Sequence, residues 1–335
     1  MENLVLVTGG TGFIGGFLVQ ALIGGGRRVR CLVRTTSDTR FLKSLNVELV
    51  YGDLLDKGSL KAAVKGVGVI YHLAAKVRPD KVISRRDRFK EPYYDVNVTG
   101  TKNLVEASWS EGVTTFICFS SIVAVGTGSH IDESTACRPV TVYGQSKLAA
   151  EEYVLKIFKS EGFPAIVVRP GQIYGPRCMG MLMLYRLIKH GLFMTIGNGS
   201  NKIPVCYVTD LVKGALLAEQ KGRPGEIYFI GGHPCTFREF AQAISDSISG
   251  KFGRLYFPKA LMDIAIALKE AGERVFNIKL CPFKMDISKG GIKSLCSDCF
   301  GSIDKAGREL GYVPDVNLQD GMRQAAAWYK DNHLI

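Results

Sequence analysis

Tyr143 and Lys147 stand four residues apart in the stretch TVYGQSKLAAEEY, residues 141–153. If that stretch is helical, both side chains lie on one face, one turn apart. A phenol beside an ammonium could move a proton, because a nearby cation favours the phenolate. The same spacing also occurs in ordinary helix-surface contacts, so the pair needs a frame around it. The segment VTGGTGFIGG (7–16) begins to supply one. Gly9, Gly12 and Gly15 have the spacing GxxGxxG there, directly after a strand-like run and at the opening of a helix-like one. Such a turn brings backbone N–H groups and the positive end of a helix against a diphosphate. Gly9, Gly12, Phe13, Ile14 and Gly15 are the candidate contacts.

The elements that must hold these residues alternate through the first half of the chain. NLVLVTG, RVRCLVR, VELVYGD, GVIYHLAA, TTFICFSS and FPAIVVRPG read as strands, and GEIYFIGG as another. Helix-like segments separate them, among them KGSLKAAVKG, YYDVNVTGTKNLVEASWSEG and the stretch carrying Tyr143. Continuous apolar strands separated by helices predict an α/β fold: a doubly wound parallel Rossmann sheet covered on both faces. After Pro176 the pattern breaks, and a smaller, mostly helical substrate lobe is expected. The expected division is 1–176 with 204–232 for the dinucleotide-binding domain, and 177–203 with 233–335 for the lobe.

More candidates fall at the carboxyl ends of the strands, where ligands of open α/β sheets bind. After the second strand stands Arg34, with no acid before Asp38. A guanidinium suits a 2′-phosphate, so NADP is expected ahead of NAD. Asp53, with Leu54 beside it, ends the third strand; it could accept from an adenine amino group, or cap the next helix. Leu73, Ala74 and Ala75 would let a ribose approach the fourth strand, and the neighbouring His72 reads as structural. Ser120 and Ser121 put hydroxyls at the end of the fifth.

Bulk composition narrows the class. The chain has 335 residues, 46% apolar and 22% charged, with a formal net charge of +12. No run approaches 18 apolar residues, and the apolar start is too short for a leader, so a cytoplasmic protein without a transmembrane helix is expected. The positive charge suits an anionic cofactor or substrate, or an acidic membrane surface. Nucleic acid is disfavoured, because no basic tail or aromatic-basic module appears. The local excess is clearest in residues 76–94, with seven Lys/Arg against three Asp/Glu. Of nine cysteines, Cys31, Cys118 and Cys206 sit in apolar runs and read as buried thiols. Cys296 and Cys299 form one CxxC, with Cys281 the only nearby third sulfur, so no metal site is expected.

Taken in order, TGGTGFIG, GDL, HLAA, NVTGTKNLVEA, the serine strand, YGQSK, RPGQIYGP, CYVTDLVKGAL and IDKAGRELGYVP resemble the extended short-chain dehydrogenase/reductase family over nearly the whole chain. The resemblance implies that Tyr143 exchanges the proton at the reacting oxygen. It implies that Lys147 lowers the tyrosine's pKa and holds the nicotinamide ribose. Ser121 would bond the substrate oxygen, with Ser120 as the fallback, and Asn97 would support the lysine. Pro170 and Ile173, in the PGQI segment after Arg169, would meet the nicotinamide carboxamide. A homodimer through helices near 95–110 and 144–160 is also implied.

Within the family, Ile122 and Val123 stand where sugar dehydratases carry an Asp-Glu pair, which disfavours dehydration. Ile203 stands near the arginine of nucleotide-sugar epimerases, with Lys202 a substitute, so epimerase remains the alternative. The segment 256–276 carries an apolar stripe of Leu261, Ile264, Ala265, Leu268 and Ala271. Core, the wall of an apolar substrate pocket, and a peripheral membrane contact are its three readings. The resemblance leans to the 3β-hydroxysteroid dehydrogenase and dihydroflavonol reductase branches. The expected function is hydride transfer between nicotinamide and a secondary alcohol or ketone of a largely apolar small molecule. A non-catalytic dinucleotide sensor is the alternative of another class, and the intact Tyr143, Lys147 and serine set argues against it.

Overall fold

The structure is a computed structural model that describes residues 4–77, 91–252, 256–258, 260, 261, 264 and 296–335. Most of the basic loop, Ala265, Leu268, Ala271 and Cys281 lie outside the described residues. Seven parallel strands form one sheet: β1 (Leu4–Thr8), β2 (Arg28–Val33), β3 (Glu48–Tyr51), β4 (Val69–His72), β5 (Thr115–Phe119), β6 (Ala165–Pro170) and β7 (Ile227–Ile230). Their order is β7-β6-β5-β4-β1-β2-β3. The chain builds outward from β1 to β3, then returns to place β4 on β1's other side. That reversal opens a crevice beyond Thr8 and His72, which are in register at the ends of β1 and β4.

The alternation of β1 shows how the sheet is covered. Val5 and Val7 enter a buried cluster with α1 (Phe13–Gly24), α6 (Val208–Lys221) and α8 (Asp304–Leu310). Leu4 and Leu6 point the other way, into a cluster with α2 (Lys57–Val64), α3 (Gly100–Ser110) and α4 (Val142–Glu161). Each fully buried aliphatic side chain contributes about 1.5–3 kcal/mol, so the two layers hold the sheet rigid from both sides. A third cluster joins α5 (Leu182–Lys189), α7 (Phe237–Ile248) and α9 (Leu318–Asp331) over the strand Val205–Tyr207. That strand pairs with Gln172–Tyr174 in a small sheet of its own rather than joining the main one. Its continuation, α6, returns to the sheet. Residues Ala306, Leu310 and Tyr312 also pack on the sheet side.

Two local differences from the sequence reading matter. The long helix expected at 93–112 contains a π-helical segment, Asp95–Thr99, between the turn Glu91–Tyr94 and α3. The helix after β3 is capped by Asp56, whose side chain accepts from Gly58 N–H at 2.9 Å; Asp53 is not the cap. The helix begins only at Lys57, so Asp53 lies too early and instead accepts from Leu55 N–H at 2.9 Å.

Candidate active site

The glycine turn is built for close approach. Gly9 adopts φ +76°, a conformation costly for any residue with a Cβ. A Cβ on Gly9 would lie 2.8 Å from Ala74 N, and one on Gly15 would lie 2.2 Å from the Gly9 carbonyl. The turn therefore presses against the end of β4 and folds tightly onto the start of α1. Gly12 caps α1 without a side chain, which leaves the helix's positive end open to an anion. Gly9 thus meets Leu73 and Ala74, the latter followed by Ala75, and Gly12, Phe13, Ile14 and Gly15 continue the same turn into α1, a cradle that fits a dinucleotide diphosphate. Arg34, exposed beyond β2, and Asp53 with buried Leu54 beyond β3 follow along the same carboxyl edge.

His72 is structural, as its place in an apolar strand suggested. Its Nδ1 lies 2.8 Å from Thr8 Oγ1 and its Nε2 2.8 Å from Thr101 Oγ1. Thr101 gives its own proton to the Asn97 carbonyl at 2.7 Å, which assigns the ring proton to Nε2. Thr8 then donates to Nδ1 and accepts from Ala74 N–H at 3.3 Å. Burial, then the neighbouring Lys147, pushes the His72 pKa down to about 3, so the ring stays neutral. It pins β4's end to β1 and to α3.

Tyr143 and Lys147 do lie on one helix. Thr141 caps α4, accepting from Gly144 N–H at 3.0 Å, and the helix starts at Val142, one residue before the tyrosine. A Cβ on Gly144 would fall 2.5 Å from the Val123 carbonyl, so α4's first turn packs on the 3-10 turn Ile122–Ala124 that follows Ser121. Ser121 Oγ accepts from Val123 N–H at 3.4 Å, and the buried Ser120 hydroxyl has no hydrogen bond among the described residues. Asn97, in the π-helical segment, holds the other side. Its carboxamide accepts from Lys76 N–H at 2.6 Å and donates to the Lys76 carbonyl at 3.0 Å and to Ser146 Oγ at 2.9 Å. Ser146 passes the link to the Tyr143 carbonyl at 2.8 Å. A π-helical segment at a functional site is a recurrent device for aiming one side chain. Here the side chain is Asn97, which ties the chain after β4 to the helix bearing the tyrosine.

The electrostatics differ from the simple expectation for the phenol. Burial, and after it Tyr93 with its ring centroid 6.3 Å away, pushes the Tyr143 pKa up to about 12. Desolvation of the phenolate is the larger of the two causes. Lys147 is itself buried, and desolvation lowers its pKa, while Cys118 and Glu151 oppose that shift. Pro170 ends β6, and Ile173 lies in the strand paired with Val205–Tyr207.

Sequence reasoning missed several residues. Thr8, Thr101 and Ser146 act through hydrogen bonds between elements distant in sequence, and nothing in their spacing marks them. Arg177, in the loop before α5, lays its guanidinium 3.8 Å from the centroid of Phe41 and beside Gly16 of α1. Among the described residues, no three His, Cys, Asp or Glu side chains gather as a metal site. Cys299 is a free thiol, as are buried Cys31, Cys118 and Cys206. No helix among the described residues is long and apolar enough to cross a membrane.

This arrangement of glycine turn, seven-stranded sheet and Tyr/Lys helix defines a Rossmann-type oxidoreductase framework. The model of the NAD dependent epimerase/dehydratase family matches residues 5–231, and the chain belongs to that family, within the extended short-chain dehydrogenases/reductases. It is accordingly an NAD(P)-dependent oxidoreductase or epimerase of that type. The chain is 32% identical to the sterol demethylase protein B of Methylococcus capsulatus, over 98% of this chain and 99% of that one. It is 28% identical to a 3-beta-hydroxysteroid dehydrogenase of Mycolicibacterium neoaurum, over 98% and 91%. The dTDP-glucose 4,6-dehydratase DesIV of Streptomyces venezuelae, solved with NAD and TYD bound, superposes with a TM-score of 0.76 at 25% identity, over 98% of both chains.

Proposed function

We propose that the protein is an NADP-dependent oxidoreductase acting on a secondary alcohol or ketone of a largely apolar small molecule, sterol-, flavonoid- or lipid-like. The observation that carries this reading is the packing of the Tyr143–Lys147 turn of α4 against the turn after Ser121, beside the glycine cradle. In this reading Gly9, Gly12, Phe13, Ile14 and Gly15 hold the diphosphate. Arg34 pairs with the 2′-phosphate, Asp53 and Leu54 border the adenine, and Leu73–Ala75 border a ribose. Pro170 and Ile173 orient the nicotinamide, which when bound supplies or accepts the hydride. Tyr143 gives or takes the proton at the substrate oxygen, Ser121 holds that oxygen, and Lys147 supplies the neighbouring charge that favours the phenolate. Asn97 fixes the helix turn that aims them.

The likeness to steroid-acting relatives supports an apolar substrate, and the helical cluster of α5, α7 and α9 supports a substrate lobe over 177–203 and 233–335. Nucleotide-sugar epimerisation is the second reading, favoured by the exposed Lys202 beside the buried Ile203. Initial rates against a panel of sterol, flavonoid and aliphatic ketones and alcohols, with NADPH and NADH, test the proposal. Reduction or oxidation with NADPH preferred is expected, and Tyr143→Phe should lower kcat by 10²-fold or more, on the order of a lost general acid. Turnover confined to UDP- or GDP-sugars would transfer the assignment to the epimerase. A homodimer through the faces of 95–110 and 144–160 belongs to the same proposal.

A further inference from the structure

We propose that Glu151, clamped by Arg169, is the positioning residue that keeps the Lys147 ammonium charged and aligned on α4; this rests on the functional reading above. Lys147 and Glu151 are four residues apart on one helix face and are both buried, 4% and 2% exposed. Arg169, also 2% exposed, reaches across from β6. Its Nε donates to Glu151 Oε2 at 3.1 Å and its Nη2 to Glu151 Oε1, a two-pronged grip on a carboxylate. Arg169 Nη2 also donates to Cys137 Sγ at 3.4 Å, and the guanidinium lies over the Phe229 ring at 5.5 Å. The grip pairs the Glu151 carboxylate with a guanidinium, which does not give up its proton in a protein.

The other titratable groups around Lys147 carry no negative charge near neutral pH. His72, from β4, is neutral, its pKa pushed down to about 3 by burial and by Lys147. Cys118, from β5, is a thiol, its pKa raised to about 11 by burial. Tyr143, one turn earlier on α4, is a neutral phenol, pushed up to about 12. Cys137, against Arg169, is held as a thiol by burial. Among these described groups Glu151 alone is an anion. A buried ammonium without a counter-ion sheds its proton. Lys147 and Glu151 thus share one face of α4, and Arg169 ties Glu151 to the sheet.

The test reads Lys147 directly, so that it does not depend on finding a substrate. Lysine labelled at the ε-carbon gives a resonance assignable by its loss in Lys147→Met, and its pH titration is followed in the wild type, Glu151→Gln and Glu151→Asp. Circular dichroism and thermal unfolding establish that each variant is folded. In the wild type Lys147 should remain protonated at pH 7. In Glu151→Gln its midpoint should fall by about one pH unit or more, and Glu151→Asp should recover part of the shift. With an active substrate in hand, the pH profile of kcat should move by the same amount in Glu151→Gln, with KM changed less than about threefold if the group acts on chemistry rather than binding. A wild-type midpoint below 7, or an unchanged midpoint in either folded Glu151 variant, would overturn the proposal. The wild-type measurement decides even where a variant does not fold. A protein that binds no dinucleotide and turns over no substrate would instead overturn the functional reading, and the titration would still stand apart from it.

Discussion

Gly15 carries the strictest residue-scale constraint in the glycine turn. Its missing Cβ is the room in which the Gly9 carbonyl sits, 2.2 Å from where that carbon would be. The obstacle is backbone, which cannot swing aside as a flexible side chain can. Gly15→Ala is therefore expected to weaken dinucleotide binding by tenfold or more, read by nucleotide fluorescence, on the order of the affinity lost when a phosphate cradle opens. Gly24, at the end of the same helix, has nothing within 4 Å of its added carbon, so Gly24→Ala should bind as the wild type does. His72 makes a different prediction. Its folded pKa, about 3, lies below the ordinary histidine value. Above the unfolded pKa of about 6.5 both states are neutral. As pH falls below it, the unfolded chain takes up a proton that the folded chain refuses, and stability is lost. Unfolding free energy should fall by on the order of 1–2 kcal/mol between pH 7 and pH 5 through this group, and His72→Gln should flatten that slope in denaturant titrations. The glycines and the Tyr/Lys pair were legible in the sequence because their spacing is local. The partners of His72 were not, since Thr8 and Thr101 lie 64 and 29 residues away and meet it only through sheet register and the packing of α3 on the sheet.

At the scale of elements, the strands of the sheet were legible because each is a continuous apolar run that two helical layers must cover. The π-helical segment at Asp95–Thr99 was not, since one extra residue per turn leaves the apolar periodicity nearly unchanged. The two-residue pairings Thr195–Ile196 with Tyr256–Phe257 and Lys202–Ile203 with Cys235–Thr236 are too short to carry any alternation. The outermost strand, β7, makes its own prediction. A sheet edge exposes backbone groups that can pair with another chain. Here Glu133 accepts from Phe229 N–H at 2.9 Å, and Lys305 donates to the Ile227 carbonyl at 2.8 Å. The two side chains occupy bonds that an incoming strand would need. Glu133→Ala combined with Lys305→Ala leaves the formal charge at +12, so a change in solubility cannot be put down to charge. The double variant should form larger, concentration-dependent species in sedimentation velocity. A distribution identical to the wild type's would show that other features guard this edge.

At the scale of the molecule, the parallel sheet, its crevice and its two covering layers follow from the alternating first half of the chain. The lobe over the crevice does not, because its core gathers segments far apart in sequence. The Tyr185 hydroxyl of α5 bonds the Met322 carbonyl of α9 at 3.3 Å, across 137 residues. Tyr329 of α9 bonds the carbonyl of Cys178, just before α5. Asp210, at the start of α6, accepts from Asp315 N–H at 3.0 Å and Val316 N–H at 3.2 Å and so fixes the approach to α9. These bonds order the protein's birth on the ribosome. All seven strands have been synthesised by residue 230, whereas the helix that closes the neighbouring core begins at residue 318. The nascent chain therefore passes through a stage in which the nucleotide platform can assemble while Tyr185 and Phe240 still face water, and it is there that a chaperone has most to protect.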